Sequence, residues 1–287
     1  MKILLQTTIP FAEDDWHTGR FSLLTDELRK DGHDVTARNR EPDANGDDPL
    51  LARLDESDYE ELWLFAVDSG NGLSVNDAAG IIKFREHGGG VLTARDHQDL
   101  GSCLLQLGSL GDVNFFHSRH AEPDPERQTE DDRDNPNLSW PNWHSGANGE
   151  YQRITITGAP HEVLRSDKSP SGFIEWFPAH PHEGGVGVPG HLPAARVIAT
   201  GRSSVSNRPF NLAVAIEGEH GAGGPMGHAL AVSSFHHFAD LNWDVDRGAP
   251  SFVTDKPVFQ IKTDPARFEI FKDYVRNIAG WLKPVSE

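Results

Sequence analysis

Strand and helix signals alternate along the first half of the chain, and this alternation restricts the fold more than any other feature. Short apolar runs and helically spaced apolar residues follow one another in turn. Strands separated by helices of this length form a parallel sheet that helices cover on both faces. The predicted strands span residues 2–8, 34–39, 59–67 and 90–95, and the predicted helices span 19–33, 48–58, 74–89 and 99–110. We therefore expect an α/β fold.

Capping residues predict where one of these helices begins and ends. Ser74 is a suitable N-cap, Asp77 stands three residues on in the position of a capping-box acid, and Gly88 is a helix stop.

The second half of the chain begins with a change of composition. Residues 121–149 are rich in Pro, Asp, Asn and Gly, which predicts a long acidic surface loop that buries little. Trp140, Trp143 and His144 leave open the alternative that this loop is a lid. Five strands and an amphipathic helix follow, at 151–157, 173–178, 195–202, 210–217, 228–234 and 265–282. Because no repeat or clear linker interrupts the 287 residues, we expect a single domain with an insertion at about 121–149.

Composition excludes several classes of partner and cofactor. The net charge of −18 disfavours nucleic acid and anionic membranes, since both would repel the chain. The N-terminal apolar run is too short for a signal peptide, and no window approaches the roughly 20 apolar residues of a membrane span. We therefore expect a cytoplasmic protein whose partner is a small polar substrate, with a homo-oligomer left open. No glycine-rich phosphate motif is present, so we expect no nucleotide cofactor.

Three stretches carry a resemblance to a known family. Residues 58–96, "DYEELWLFAVDSGNGLSVNDAAGIIKFREHGGGVLTARD", resemble the core of the ThuA-like (trehalose utilisation) proteins of the class I glutamine amidotransferase-like superfamily. The segments "GAPHEVL" and "GHALAVSSFHHF" resemble that family's "HP-x-x-x-G-L" segment and its late strand. The resemblance covers most of the chain outside 121–149. It implies a flavodoxin-like, doubly wound, mainly parallel sheet across a single ThuA-like domain of residues 1–287, with the site at the carboxyl ends of the strands.

The family's nucleophile position is occupied differently here. In true amidotransferases a cysteine stands at the elbow after a central strand, whereas Asp96 and His97 occupy that elbow in this chain. Cys103, the only cysteine, falls about two turns into the predicted helix, too far from its N-terminus for its dipole to favour a thiolate. We therefore reject glutaminase chemistry. His97 is instead a candidate acid/base or metal ligand, oriented by Asp96 or Asp99.

Other titratable and aromatic residues follow the ends of predicted strands, where ligands bind in doubly wound sheets. His236 and Asp240 lie four residues apart, so the aspartate could orient the histidine as a second catalytic pair, with His237 facing the interior. A core histidine bonded to backbone is the alternative. The candidate substrate-binding residues are Trp16, His17, Asp68, His117 and Trp143.

The stretch "HPHEGG" has the pattern most typical of a metal site. His180 and His182 flank Pro181, and Glu183 follows; two imidazoles and a carboxylate suit a divalent metal, with zinc the first choice. Direct binding of a polar substrate and purely structural hydrogen bonding are the alternatives.

Together these features predict a hydrolase or lyase that uses His and Asp at the strand ends, with a divalent metal. The resemblance implies a carbohydrate-like substrate, a keto-sugar or disaccharide. The alternative function is a non-catalytic protein that retains the cleft for ligand binding, or that docks a partner through loop 121–149.

Overall fold

A computed structural model gives the fold of the chain and describes residues 1–128, 131 and 138–284. The strands in the described residues are β1 (Lys2–Thr7), β2 (Asp34–Asn39), β3 (Glu61–Phe65), β4 (Gly90–Ala94), β5 (Asn114–Phe115), β6 (Tyr151–Arg153), β7 (Thr155–Ile156), β8 (Trp176–Pro178), β9 (Gly185–Val186), β10 (Ala195–Arg202), β11 (Pro209–Ile216), β12 (His220–Gly221), β13 (Gly224–Pro225) and β14 (Ala229–Val232).

The helices are of two kinds. The α-helices are α1 (Ser22–Lys30), α2 (Val75–Glu86), α3 (Ser109–Asp112), α4 (Gln260–Thr263) and α5 (Pro265–Leu282). Short 3₁₀ helices span Thr18–Phe21, Leu51–Glu56, Ser102–Gln106, Pro125–Arg127, Glu162–Leu164, Phe235–His237, Asp240–Asn242 and Val245–Arg247.

Eight strands form the central sheet, in the order β2-β1-β3-β4-β14-β11-β10-β7. The first five are parallel to one another, and the last three add antiparallel pairings at one edge. Counted among the parallel strands alone, the order is 2-1-3-4-5, which is the flavodoxin-like order. The predicted α/β, flavodoxin-like, mainly parallel sheet is therefore confirmed.

Helices cover both faces of this sheet, as predicted. Successive side chains of β1 point to opposite faces because a strand alternates with period two. Ile3 and Leu5 join the core on the face of α1 and α5, whereas Leu4 joins the core on the face of α2. Both clusters consist of buried residues, so the sheet is enclosed and its carboxyl edge is where a polar site can open.

The predicted elements match the structure unevenly. Helix α5 has the predicted bounds, and α2 begins with the predicted capping box, in which Ser74 and Asp77 bond each other's backbone N–H groups. The helix predicted over 99–110 is wrong: a 3₁₀ turn and the short α3 replace it. Gly101 and Gly108 have φ angles of +79° and +60° there, a conformation that a continuous helix does not accommodate.

The loop predicted over 121–149 is only partly a surface excursion. Trp140, Trp143 and Asn148 are buried, so the statement that this segment buries little is wrong for its second half. The two tryptophans supply the apolar area that the acidic half lacks. The remainder of the acidic stretch, residues 129–130 and 132–137, lies outside the described residues.

Within the described part of the chain, no helix has both the length and the apolar character needed to cross a membrane.

Candidate functional site

A cavity of about 350 Å³ opens at the carboxyl edge of the parallel strands. Three different segments bring polar groups into it: Asp96 follows β4, His180 follows β8, and His236 lies in the 3₁₀ turn after β14. All three side chains are buried, and their ligating atoms lie within 4.8 Å of one another. We call these residues the Asp96 triad. Among the described residues they are the single group of three or more His, Cys, Asp or Glu side chains that is compact enough to hold a metal ion.

Asp96 is the centre of the triad. Its Oδ1 accepts a hydrogen bond from the His97 backbone N–H at 2.8 Å and lies 3.0 Å from His97 Nδ1. Burial acts to raise the pKa of the Asp96 carboxyl, but the charge of the adjacent His97 lowers it, and that pKa lies well below its usual range. Asp96 is therefore an ionised carboxylate in a buried position.

A chain of hydrogen bonds fixes the tautomer of His180. The Gly149 backbone N–H can only donate, so the atom of Asn242 that it meets at 2.7 Å is Oδ1. Asn242 Nδ2 then donates to Asn148 Oδ1 at 3.1 Å. That same oxygen lies 3.3 Å from His180 Nδ1, which must carry the proton in order to bond it. The Nε2 atom of a neutral His180 is therefore left with a lone pair.

That lone pair faces another acceptor. His180 Nε2 lies 3.4 Å from Asp96 Oδ1, is buried, and has no hydrogen-bond partner among the described residues. Burial, with the charge of His236 second, holds the pKa of His180 well below its usual range, so the ring stays neutral. Two buried acceptors face each other stably when a cation lies between them.

His236 completes the triad from the opposite side. Its Nε2 lies 3.5 Å from Asp96 Oδ2, and its ring stacks on that of His180 with centroids 3.5 Å apart and planes 11° from parallel. Ligand atoms of a tetrahedral zinc ion lie about 3.4 Å apart, so the separations to Asp96 suit such an ion. Parallel rings cannot both aim a nitrogen at one ion. Binding must therefore turn at least one of them.

His97 and Trp16 also line the cavity. Because His97 Nδ1 is engaged by Asp96, its Nε2 is the ring atom that remains for a substrate or a water molecule. Trp16 packs edge-on against His236, with ring centroids 4.6 Å apart, and so forms an apolar wall beside the triad.

The predicted metal set of His180, His182 and Glu183 is not brought together. His182 lines the cavity, but oxygen atoms of Asn142 and Asp255 lie 3.0 and 3.3 Å from its two ring nitrogens, so neither is left for a metal. The residues grouped with His180 instead follow β4 and β14, because the sheet joins strand ends that are distant in sequence.

Glu183 lies behind the site with no exposed surface. Its Oε1 accepts from Ser145, Gln152 and His237 at 3.0, 2.6 and 2.9 Å, and its Oε2 accepts from Ser233 at 2.7 Å. Four donors therefore occupy the two oxygens of Glu183, and Glu183 is not a member of the Asp96 triad. His237 thus faces the interior, opposite to His236.

Asp240 does not orient His236. Its oxygens accept from the Ser22 hydroxyl at 2.5 Å and from the Leu23 backbone N–H at 2.8 Å. These donors lie in the first turn of α1, so Asp240 satisfies free N–H and hydroxyl groups at a helix N-terminus. The predicted pair of His236 and Asp240 is therefore not formed, because both Asp240 oxygens bond the start of α1.

Four of the five predicted substrate-binding residues lie outside the cavity lining, and each has another partner. His17 accepts from Gly19 N–H, Asp68 accepts from Thr8 and Cys103, His117 Nδ1 lies 3.0 Å from the Trp140 carbonyl, and Trp143 stacks on Phe210. Burial, followed by the charge of Asp68, raises the pKa of Cys103 well above its usual value, in keeping with the rejection of a cysteine nucleophile.

Sequence reasoning missed Asn148 and Asn242, which set the His180 tautomer. Both asparagines are fully buried. Their segments, "HSGANG" and "DLNWD", contain no pattern that distinguishes such a residue from a turn asparagine.

Comparisons with known proteins give fold-level similarity only. No family model matches the chain, and no curated protein matches it. Among solved structures, it is similar to a candidate GMP synthase component from Thermoplasma acidophilum. That match has 11% identity and a TM-score of 0.42, and covers 98% of this chain and 95% of that one. It is also similar to the glutaminase domain of Trypanosoma brucei CTPS, solved with bound acivicin. That match has 13% identity and a TM-score of 0.46, and covers 100% of this chain and 98% of that one. The assignment of fold rests on the strand order.

Proposed function

We propose that the chain is a metal-assisted hydrolase or lyase of a small polar substrate, with a divalent cation, zinc first, held by the Asp96 triad. The observation that carries this proposal is the lone pair of His180 Nε2 facing the ionised Asp96 carboxylate in a buried position. Two histidines and one carboxylate form a ligand set that leaves a coordination position open for water or substrate. When bound, the cation would lower the pKa of a water molecule and polarise a substrate oxygen.

His97 is the proposed acid/base. Asp96 engages Nδ1 and thereby fixes the tautomer in which Nε2 accepts a proton, which is the arrangement that general bases require. The ring is largely buried but lines the cavity, so a substrate held there would meet Nε2.

The proposed substrate is carbohydrate-like. A ThuA-like role on a keto-sugar or disaccharide is supported by the resemblance of residues 58–96 and by the aromatic wall that Trp16 provides, since indole rings stack on sugar faces. The polar groups of the cavity require only that the ligand form hydrogen bonds.

Zinc binding to the metal-free protein tests the proposal. We expect one zinc ion per chain in competition with a chromophoric chelator, and a large loss of affinity in His180→Gln. His191→Gln is the matched control, because His191 is an exposed histidine paired with Asp112 outside the cavity. A wild-type chain that binds no zinc, or a His180→Gln variant that binds it unchanged, would contradict the proposal.

Turnover separates catalysis from binding alone. The zinc-loaded protein is screened against keto-sugars and disaccharides, with chelator-treated protein alongside. Zinc-dependent turnover that His97→Ala abolishes supports an enzyme. Ligand binding without turnover on any member of the panel supports the alternative, a binding protein that retains the cavity.

A further inference from the structure

Arg95 has a fully buried side chain beside the Asp96 triad. Each hydrogen bond of its guanidinium within the described residues goes to a backbone carbonyl oxygen. Nε donates to Asp96 O at 2.8 Å, Nη2 donates to Gln98 O at 2.6 Å, and Nη1 donates to Gly185 O at 3.2 Å and to Phe115 O. The ring of Phe116 covers its face at 3.9 Å.

These contacts join the three segments that carry the triad. The bonds to Asp96 O and Gln98 O hold the turn after β4. The bond to Gly185 O holds the segment that carries His180. The backbone carbonyl of Arg95 itself accepts from Phe235 N–H at 2.8 Å, one residue before His236. One residue therefore contacts all three segments on which the proposed ligands stand.

Gly184 makes this close approach possible. A Cβ atom at this position would lie 2.4 Å from Asp96 O and 2.7 Å from Arg95 Nε, well inside van der Waals contact. The Gly184 backbone N–H donates to Ser233 O at 2.9 Å. The segment that carries His180 thus packs directly against the guanidinium and against the segment that carries His236.

We infer that Arg95 is a positioning residue that sets the separation of Asp96, His180 and His236. The inference rests on the proposed metal site. A planar guanidinium offers five N–H donors in fixed directions, so it can bond four carbonyls that surround it. A lysine ammonium is a single point on a flexible stem and cannot bond all four.

The test compares Arg95→Lys with Arg85→Lys. Arg85 is a matched control, since it is also buried and donates through all three of its nitrogens, to Gly227 O, Ser109 Oγ and Glu219 Oε2, at the opposite edge of the sheet. We expect both variants to lower the melting temperature. We expect Arg95→Lys alone to weaken zinc binding, by about 10- to 100-fold, the range seen when groups that orient ligands are removed. Unchanged zinc affinity in Arg95→Lys, or an equal loss in Arg85→Lys, would overturn the inference.

Gly184→Ala provides a second variant if Arg95→Lys does not fold. It displaces the same segment while the guanidinium stays, so we again expect weaker zinc binding. Gly190→Ala is its control, because a Cβ there has no atom within 4 Å. Unchanged affinity in Gly184→Ala would count against the inference.

A wild-type chain without zinc affinity would overturn the proposed function. The positioning role is then tested by the NMR chemical shifts of the histidine rings. The imidazole signals of His180 and His236 should then shift in Arg95→Lys and stay in place in Arg85→Lys. Signals that do not move in Arg95→Lys would refute the positioning role as well.

Discussion

The amino and carboxyl edges of the central sheet, which are the two ends of its parallel strands, both bury charged groups. The hydrogen bonds of these groups differ. At the amino edge, Arg85 places its three nitrogens on Gly227, Ser109 and Glu219, and Ser109 also donates to Glu219. We call this group the Arg85 cluster. At the carboxyl edge, the Asp96 triad sets the lone pair of His180 Nε2 against a carboxylate. The comparison teaches that burial of charge alone does not distinguish the two regions, because only the carboxyl edge sets a buried acceptor against another acceptor.

The largest effect is expected from Asp96→Asn. This substitution removes the charged ligand, so zinc affinity should fall by about 100-fold or more, beyond the range for groups that only support ligands. Isothermal titration of the metal-free protein measures it. Glu219→Gln in the Arg85 cluster should lower stability and leave zinc affinity unchanged; an equal loss of affinity in both variants would erase the distinction between the two edges.

The adjacent residues His236 and His237 allow the same comparison, since His236 belongs to the Asp96 triad and His237 bonds the buried Glu183. His237→Ala leaves the buried Glu183 without one of its four donors and should cost roughly 1–3 kcal/mol of unfolding free energy. His236→Ala should mainly weaken zinc binding. Urea unfolding and zinc titration of both variants measure the two effects. Reversed phenotypes would show that His237, and not His236, belongs to the metal site.

At the amino edge, His161 should make the free energy of unfolding depend on pH. Burial, with the charge of Arg196 second, lowers its pKa to about 4, whereas the unfolded chain protonates this residue near 6.5. As pH falls below about 6.5, the unfolded state binds the proton while the folded state does not. The free energy of unfolding therefore falls between about pH 6.5 and pH 4. The metal-free wild type should lose about 1 kcal/mol more than His161→Gln between pH 6 and pH 5. Equal losses in urea unfolding would show that His161 is not the cause.

Asp240→Asn should have the smallest effect. Removing its charge from the N-terminus of α1 should cost about 0.3–1 kcal/mol and leave zinc affinity unchanged. Thermal unfolding and zinc titration measure the two quantities. A clear loss of zinc affinity would restore Asp240 to the catalytic site and show that position at the carboxyl edge is enough.

The sequence predicts local structure better than it predicts the site. The strands and the Ser74–Asp77 capping box are encoded in short windows, so periodicity and capping chemistry identify them. The turn after β4 also identifies Asp96 and His97, because the end of a strand can be read locally. Of the residues predicted at strand ends, Asp96, His97 and His236 line the cavity, whereas His17, Asp68 and Asp240 do not.

Short sequence windows do not predict which side chains meet across the carboxyl edge. His180 joins Asp96 and His236, which are 84 and 56 positions away in the chain, while the neighbouring His182 and Glu183 have other partners. Local spacing favours the neighbours, since two histidines separated by one residue suit a shared ion in an extended chain. The pairing of strands that are distant in sequence determines which side chains meet, and the periodicity of the sequence does not predict this pairing.

Anomalous diffraction from zinc-soaked crystals is the measurement that tests the central claim most directly. The account predicts one strong peak at the zinc edge, about 2.0–2.2 Å from an oxygen of Asp96 and from ring nitrogens of His180 and His236. It also predicts that the two imidazole rings have turned out of their parallel stack. No peak at the triad, or a peak bound instead by His182 and Glu183, would contradict the account.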